Sequence, residues 1–213
     1  MHGIDMQAVV RPFGLKGTDM RRIHLMIAAA TAVVATSICL HSIAGDILAG
    51  VYAHDLGPAD RESGADFLLG WRSAPVDSLS LIWKPSVHVI AAANTDVSTD
   101  FVSVGLSWKV NLTDHLYLQP GMGLAYTNGK AGLPPVNAPG LSAAEIQRRL
   151  HLYHTRIDFG SHAEFEPELA LGYRVSPKLA IEASYVHLSN GQILHQGKNQ
   201  GLDDLGVRLV YGF

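Results

Sequence analysis

The sequence predicts an all-β fold, an eight-stranded antiparallel transmembrane β-barrel with a short external helix in one long loop. Three observations carry this expectation. Segments of alternating apolar and polar residues follow one another from residue 47 to the end of the chain. The connections between them are alternately long and short, as in barrels with external loops on one side and periplasmic turns on the other. The last segment sets Val207, Leu209, Tyr211 and Phe213 against Arg208, Val210 and Gly212. Alternation alone would also suit a soluble sandwich; the loop rhythm and the aromatic end favour the membrane barrel.

Before the first strand, Met20-Arg21-Arg22 leads into an apolar run, Leu25 to Leu40, and then Ser42-Ile43-Ala44. A basic start, an apolar stretch and a small-x-small end make a secretory signal peptide cleaved after Ala44. The run falls short of the roughly 20 residues that a membrane-spanning helix needs. Residues 1–19 read as an upstream extension, with Met20 as the natural start. Cys39, the only cysteine, follows Ile38, where a lipoprotein signal would carry a small residue, so the leader is not a lipidation signal. The expected domains are therefore 1–44, removed, and 45–213, a single barrel domain without thiols or disulfides. Removing four basic and two acidic leader residues from totals of 16 and 19 leaves 12 and 17, a net charge of −5. That balance excludes nucleic acid as a partner.

Strands are expected near 47–53, 65–72, 80–93, 101–110, 116–127, 162–174, 179–190 and 203–213. In the fourth, Val102, Val104, Leu106, Trp108 and Val110 share one face, opposite Ser103, Gly105, Ser107 and Lys109. In the sixth, Phe165, Leu169, Leu171 and Tyr173 oppose Glu164, Glu166 and Glu168. The polar faces should point inward, which places Lys84, His88, Lys109, Glu164, Glu166, Glu168, Glu182 and Arg208 in the lumen. Eight strands leave an interior that side chains fill, so no pore is expected. Buried charges require partners, and Arg208 and Lys109 are the cations expected against the glutamates. The segment 128–161 is too long for a plain loop. Ser142 as N-cap with Glu145 three residues on forms a capping box, predicting a helix over 143–152.

Chemistry-bearing patterns are few. No G-x-S-x-G elbow and no nucleotide-binding glycine pattern occurs. His151, His154 and His162 lack acidic or thiolate partners at ligand spacing and read as loop histidines, so no metal or other cofactor is expected. In Tyr185-Val186-His187-Leu188-Ser189-Asn190-Gly191, His187 and Ser189 are two apart and project from one strand face. A base beside a hydroxyl activates it as a nucleophile. Their face also carries Ile181, Ala183 and Tyr185, and is therefore the lipid side. A periplasmic N-terminus puts Ser189 at the extracellular end. Asp203 shares parity with Val207, Leu209, Tyr211 and Phe213 and faces lipid too, whereas Asp204 faces inward. Three polar groups on a lipid-facing surface are costly, and a nucleophile, base and orienting carboxylate would account for them.

The segment from Phe159-Gly160-Ser161-His162 through His187-Leu188-Ser189-Asn190 to Asn199-Gln200-Gly201-Leu202-Asp203 resembles the PagL family of lipid A 3-O-deacylases. The family signature is H-x-S-N followed by N-x-G-x-E on the last two strands of an eight-stranded outer-membrane barrel. The resemblance implies a carboxylic ester hydrolase with Ser189 as nucleophile, His187 as base and Asp203 in the place of the family's Glu. It further implies that Asn190 and Gly191 stabilise the oxyanion. The loop before Asp203 is longer than the family pattern, and the glycine after H-x-S-N comes one position earlier. The implied substrate is lipid A or lipopolysaccharide, in contact with outer-membrane lipid and without a cofactor; a homodimer stays open as a partner state. Lys198 or Arg156 at the rim could meet the lipid A phosphates or be solvated loop charges. The alternative is a non-catalytic structural or adhesion-type outer-membrane barrel.

Overall fold

The computed structural model describes residues 44–57, 60–96 and 98–213. The expected leader lies outside the described residues except for Ala44. The strands are β1 (Gly45–Ala53), β2 (Ala65–Ser73), β3 (Ser86–Asn94), β4 (Phe101–Ser107), the two-residue β5 (Val110–Asn111), β6 (Leu116–Thr127), β7 (Ala163–Arg174), β8 (Leu179–Leu188) and β9 (Leu202–Gly212). Neighbours pair antiparallel throughout. The sheet closes because β1 pairs with β9, Leu48 opposite Val210, and β4 with β6, Phe101 opposite Thr127. Eight long strands thus form a closed antiparallel barrel, and closure removes the sheet edges that would otherwise be unpaired in lipid. No described helix is long and apolar enough to cross a membrane.

The period of two sorts every strand. Val51, Phe67, Leu69, Val102, Val104, Leu124, Leu169, Leu171, Val207 and Leu209 point outward and form the apolar wall, while Glu164, Glu166, Glu168, Glu182 and Arg208 are buried inside. Exposed Tyr173, Tyr211 and Phe213 mark one rim, and Tyr126 and Tyr185 the other, the girdles expected where a barrel meets the two interfaces. The expected facing of Val102, Leu209, the three β7 glutamates and Arg208 matches this arrangement.

The lumen is solid. Arg208 donates from Nε to Glu182 at 2.6 Å and from Nη1 to Glu168 at 3.0 Å. Arg72 donates to Glu182 at 3.0 Å and to Asp46 at 3.0 Å, and the Tyr117 hydroxyl donates to Glu182 at 2.7 Å. His88 lies 3.1 Å from Glu166. The large rings fit because glycines face them: a Cβ on Gly172 would lie 2.1 Å from Tyr117, and one on Gly206 would lie 2.4 Å from Tyr52.

Three expectations are corrected. The third strand begins at Ser86, not at 80, because Asp77–Ile82 forms a 3₁₀ helix and Trp83 and Lys84 take left-handed φ of 64° and 50° before Pro85. Lys84 is therefore an exposed turn residue paired with Asp77 at 2.8 Å, not a lumen cation. The fourth strand loses its ladder after Ser107: Trp108 N–H reaches the Pro120 carbonyl at 2.9 Å, but Pro120 has no N–H to return. The register continues unbroken, since Val110 opposes Leu118 as Ser107 opposes Gly121. Lys109 sits at the short-turn mouth of the barrel, over the Tyr117 ring at 4.8 Å and 3.8 Å from Asp46. Arg72, not Lys109, is the second cation against the glutamates.

The external helix α1 (Ala143–Thr155) forms where the capping box puts it, with Ser142 Oγ accepting from Glu145 N–H at 3.2 Å. The reciprocal half of the box is absent, because the Glu145 carboxylate takes Arg148 and Arg149 at 2.8 and 2.6 Å.

Candidate active site

β8 and β9 run side by side in a register that sets His187 directly opposite Asp203. Alternation turns both side chains outward at the long-loop end of the barrel, and turns Asp204 inward, where it is buried. Cross-strand partners approach within a few ångström, and here His187 Nδ1 lies 2.6 Å from Asp203 Oδ1. Both side chains remain partly open, at 30% and 22% exposure, so the pair stands at a surface that a substrate can reach. With Nδ1 on the carboxylate, Nε2 is the nitrogen left to act as a base. The longer loop before Asp203 does not displace it, because the β8–β9 ladder fixes its height.

Ser189 follows two residues after His187 on the same face and is half-buried. It lies past the end of β8 but is held by an isolated bridge to Phe165, donating to and accepting from that residue's backbone at 3.1 and 2.7 Å. This bridge keeps the β7–β8 register, with Glu168 opposite Val186. The interruption between them contains Pro167, which has no N–H for the ladder. The Phe165 side chain packs beside the turn, and a Cβ on Gly191 would lie 3.1 Å from its ring. Gly191 has φ 62° and Gly201 φ 73°, so both turns need the freedom that glycine has. Gly201 also lies against His187: a Cβ there would lie 3.0 Å from His187 Cε1.

Asn190 is buried on the opposite face and binds the loop together. Its Nδ2 donates to the carbonyls of Phe159 and Lys198 at 2.6 and 2.8 Å, and its Oδ1 accepts from Gln192 N–H at 2.8 Å. Its own N–H donates to Asn199 Oδ1 at 3.0 Å. Both amide hydrogens are thus already committed. Arg156 stands 3.8 Å from the buried Glu62, so its charge faces the protein. Among the loop histidines, His162 Nδ1 lies 3.0 Å from the Thr127 carbonyl and the His154 ring packs edge-on against Tyr153.

The residue that sequence reading missed is Tyr185. Its hydroxyl donates to Asp203 Oδ1, the same oxygen that meets His187. Tyr185 lies opposite Leu205, one diagonal step from Asp203, and its position on the shared face was the only signal available for it.

A model of the family described as lipid A 3-O-deacylase (PagL) matches residues 61–212, more than two thirds of the chain. Among solved structures, the outer membrane enzyme PagL superposes with a TM-score of 0.53 at 14% identity, covering 79% of this chain and 99% of that one. The N-terminal β-barrel domain of Pseudomonas aeruginosa OprF gives 0.48 at 12% identity over 80% and 98%. A designed transmembrane β-barrel gives 0.48 at 13% identity over 81% and 98%. No curated protein matches the chain. At such identities the PagL structure speaks for the fold, and the family match for kinship. A closed barrel with an apolar wall and this kinship is an integral protein of the bacterial outer membrane. The chain belongs to the PagL family of lipid A 3-O-deacylases.

Proposed function

We propose that this chain removes the 3-linked acyl chain of lipid A as a serine esterase, with Ser189 as nucleophile, His187 as general base and Asp203 as the orienting acid. The observation that carries this reading is the 2.6 Å contact between His187 Nδ1 and Asp203, with Ser189 two residues further along the same outward face. Ser189 Oγ attacks the ester carbonyl as His187 Nε2 takes its proton. Asp203 fixes the tautomer and stabilises the imidazolium. The tetrahedral oxyanion lies near the Gly191 N–H, and Asn190 contributes by holding that turn through its bonds to Phe159 and Lys198. Collapse breaks the ester bond, and His187 returns the proton to the sugar hydroxyl as it leaves. Water, deprotonated by the same imidazole, then attacks the acyl-enzyme and releases the fatty acid and free Ser189.

The outward direction of the site suits this substrate. An acyl chain leaving the carbonyl can lie along the apolar wall below the site, where Ala183, Val207 and Leu205 are exposed. The sugar and phosphates remain at the polar rim above. A fluorophosphonate probe tests the nucleophile: membranes containing the protein should give a covalent adduct on Ser189, and the adduct should be lost in His187→Ala. Labelling of another serine, or none in a folded barrel, would contradict the assignment.

A further inference from the structure

The loop leaving β1 folds back onto the start of β9. Asp55, at φ 51°, turns the chain and accepts Arg61 N–H and Glu62 N–H on Oδ2 at 2.7 and 3.0 Å. Its own N–H donates to Asp204 Oδ1 at 3.2 Å, and Leu56 N–H donates to the Asp203 carbonyl at 2.8 Å. Gly57 then lies against the acid itself: a Cβ there would stand 2.9 Å from Asp203 Oδ2, the oxygen that His187 and Tyr185 leave unused.

Behind this turn, on the lumen side, His54 is buried among carboxylates. Its Nδ1 lies 2.9 Å from Asp66 and 3.5 Å from Asp204, and its Nε2 lies 3.3 Å from Glu62. The outer atoms of the cluster are tied down in turn, Asp66 by Asn94 Nδ2 at 2.8 Å and Glu62 by Ile157 N–H at 3.2 Å. Burial works against a charge on His54, but the hydrogen bonds of Asp66 and Glu62 outweigh it and push the imidazole up to about 10. His54 is therefore the cation around which the turn is built.

We infer that residues 54–57 are a positioning clamp for the catalytic acid: the His54 cluster anchors the turn, Leu56 holds the Asp203 backbone, and Gly57 leaves beside the free carboxylate oxygen only the space that a glycine needs. The inference rests on the triad reading above. The residues of the clamp are positioning residues, since they reach the reacting atoms only through Asp203.

Gly57→Ala tests it. Gly57 lies outside the left-handed region, so alanine suits its backbone, and the added methyl acts on Asp203 Oδ2. Crowding of the carboxylate off its place beside His187 should lower kcat on lipid A by about ten- to a hundredfold. KM should stay unchanged, and labelling of Ser189 by the fluorophosphonate should slow in parallel. Added to Asp203→Asn, Gly57→Ala should cost little more, as expected of groups that act as a unit. His54→Gln, which removes the anchoring cation, should repeat the kcat loss, with a folded barrel confirmed by heat-modifiable electrophoretic mobility. Normal kcat and labelling in Gly57→Ala would overturn the clamp while leaving the triad standing, provided that Asp203→Asn is inactive. Full activity in Asp203→Asn would overturn the triad reading and the clamp together.

Discussion

Asp203→Asn should leave the barrel folded and lower lipid A ester release by about 10⁴-fold, the loss seen when a triad carboxylate becomes an amide. Asp203 meets His187 Nδ1 through a single oxygen at 2.6 Å. An amide there cannot stabilise the imidazolium that forms as Ser189 attacks, and its NH₂ face would favour the wrong tautomer. Ser189→Ala and His187→Ala should each abolish turnover, and either combined with Asp203→Asn should add little. The neighbouring carboxylate is the internal control. Asp204 points into the barrel, 3.5 Å from His54 and accepting the Asp55 N–H. Asn at 204 keeps an acceptor for that N–H, so turnover should fall by less than about tenfold, a small part of the loss that follows a misplaced catalytic group. Ester release by the variants in matched membranes decides this. The reverse ranking of Asp203→Asn and Asp204→Asn would mean that the acid has been assigned to the wrong face of β9.

The largest effect on stability should come from Arg208. Its guanidinium is fully buried and is shared between Glu182 and Glu168. Arg208→Met fills similar space but leaves Glu168 with only His88, 3.8 Å away, and Glu182 with Arg72 and Tyr117. Breaking a buried pair from one side costs about 3–5 kcal/mol. The expected result is a large fall in the urea midpoint of the barrel in detergent micelles and loss of the heat-resistant folded band. Adding Glu168→Gln should recover part of the loss, because the buried charge that Arg208 balanced is then gone. An unchanged midpoint in Arg208→Met would show that the lumen network is not a stabilising core.

The sequence made much of this legible because a strand has a period of two. With Val207, Leu209 and Tyr211 outward, the faces of Asp203 and Asp204 follow from parity, as those of His187 and Ser189 follow from Ile181, Ala183 and Tyr185. The same reasoning failed at 80–84. Leu81 and Trp83 alternate as a strand would, but they belong to a 3₁₀ helix and a left-handed turn before Pro85. Local alternation cannot distinguish these, and the error carried Lys84 into the lumen. The break at Trp108 was readable only with the register, which sets Pro120 across from it. The hidden parts of the site depend on contacts between distant segments. Tyr185 reaches Asp203 on a diagonal, and Asp55 reaches Asp204 across 149 residues. Asn190 lies within the motif, but the carbonyls of Phe159 and Lys198 that occupy its amide come from two other places in the chain.

The central claim is that Ser189 hydrolyses the 3-linked ester of lipid A. Mass spectrometry of lipid A from a Gram-negative host expressing the wild-type chain or Ser189→Ala, with equal amounts of folded barrel in the outer membrane, tests it most directly. The account predicts that the wild type converts lipid A to a species lighter by one 3-linked acyl chain and that the variant leaves it intact. Unmodified lipid A in the wild-type host, or equal loss of the chain in both hosts, would contradict it.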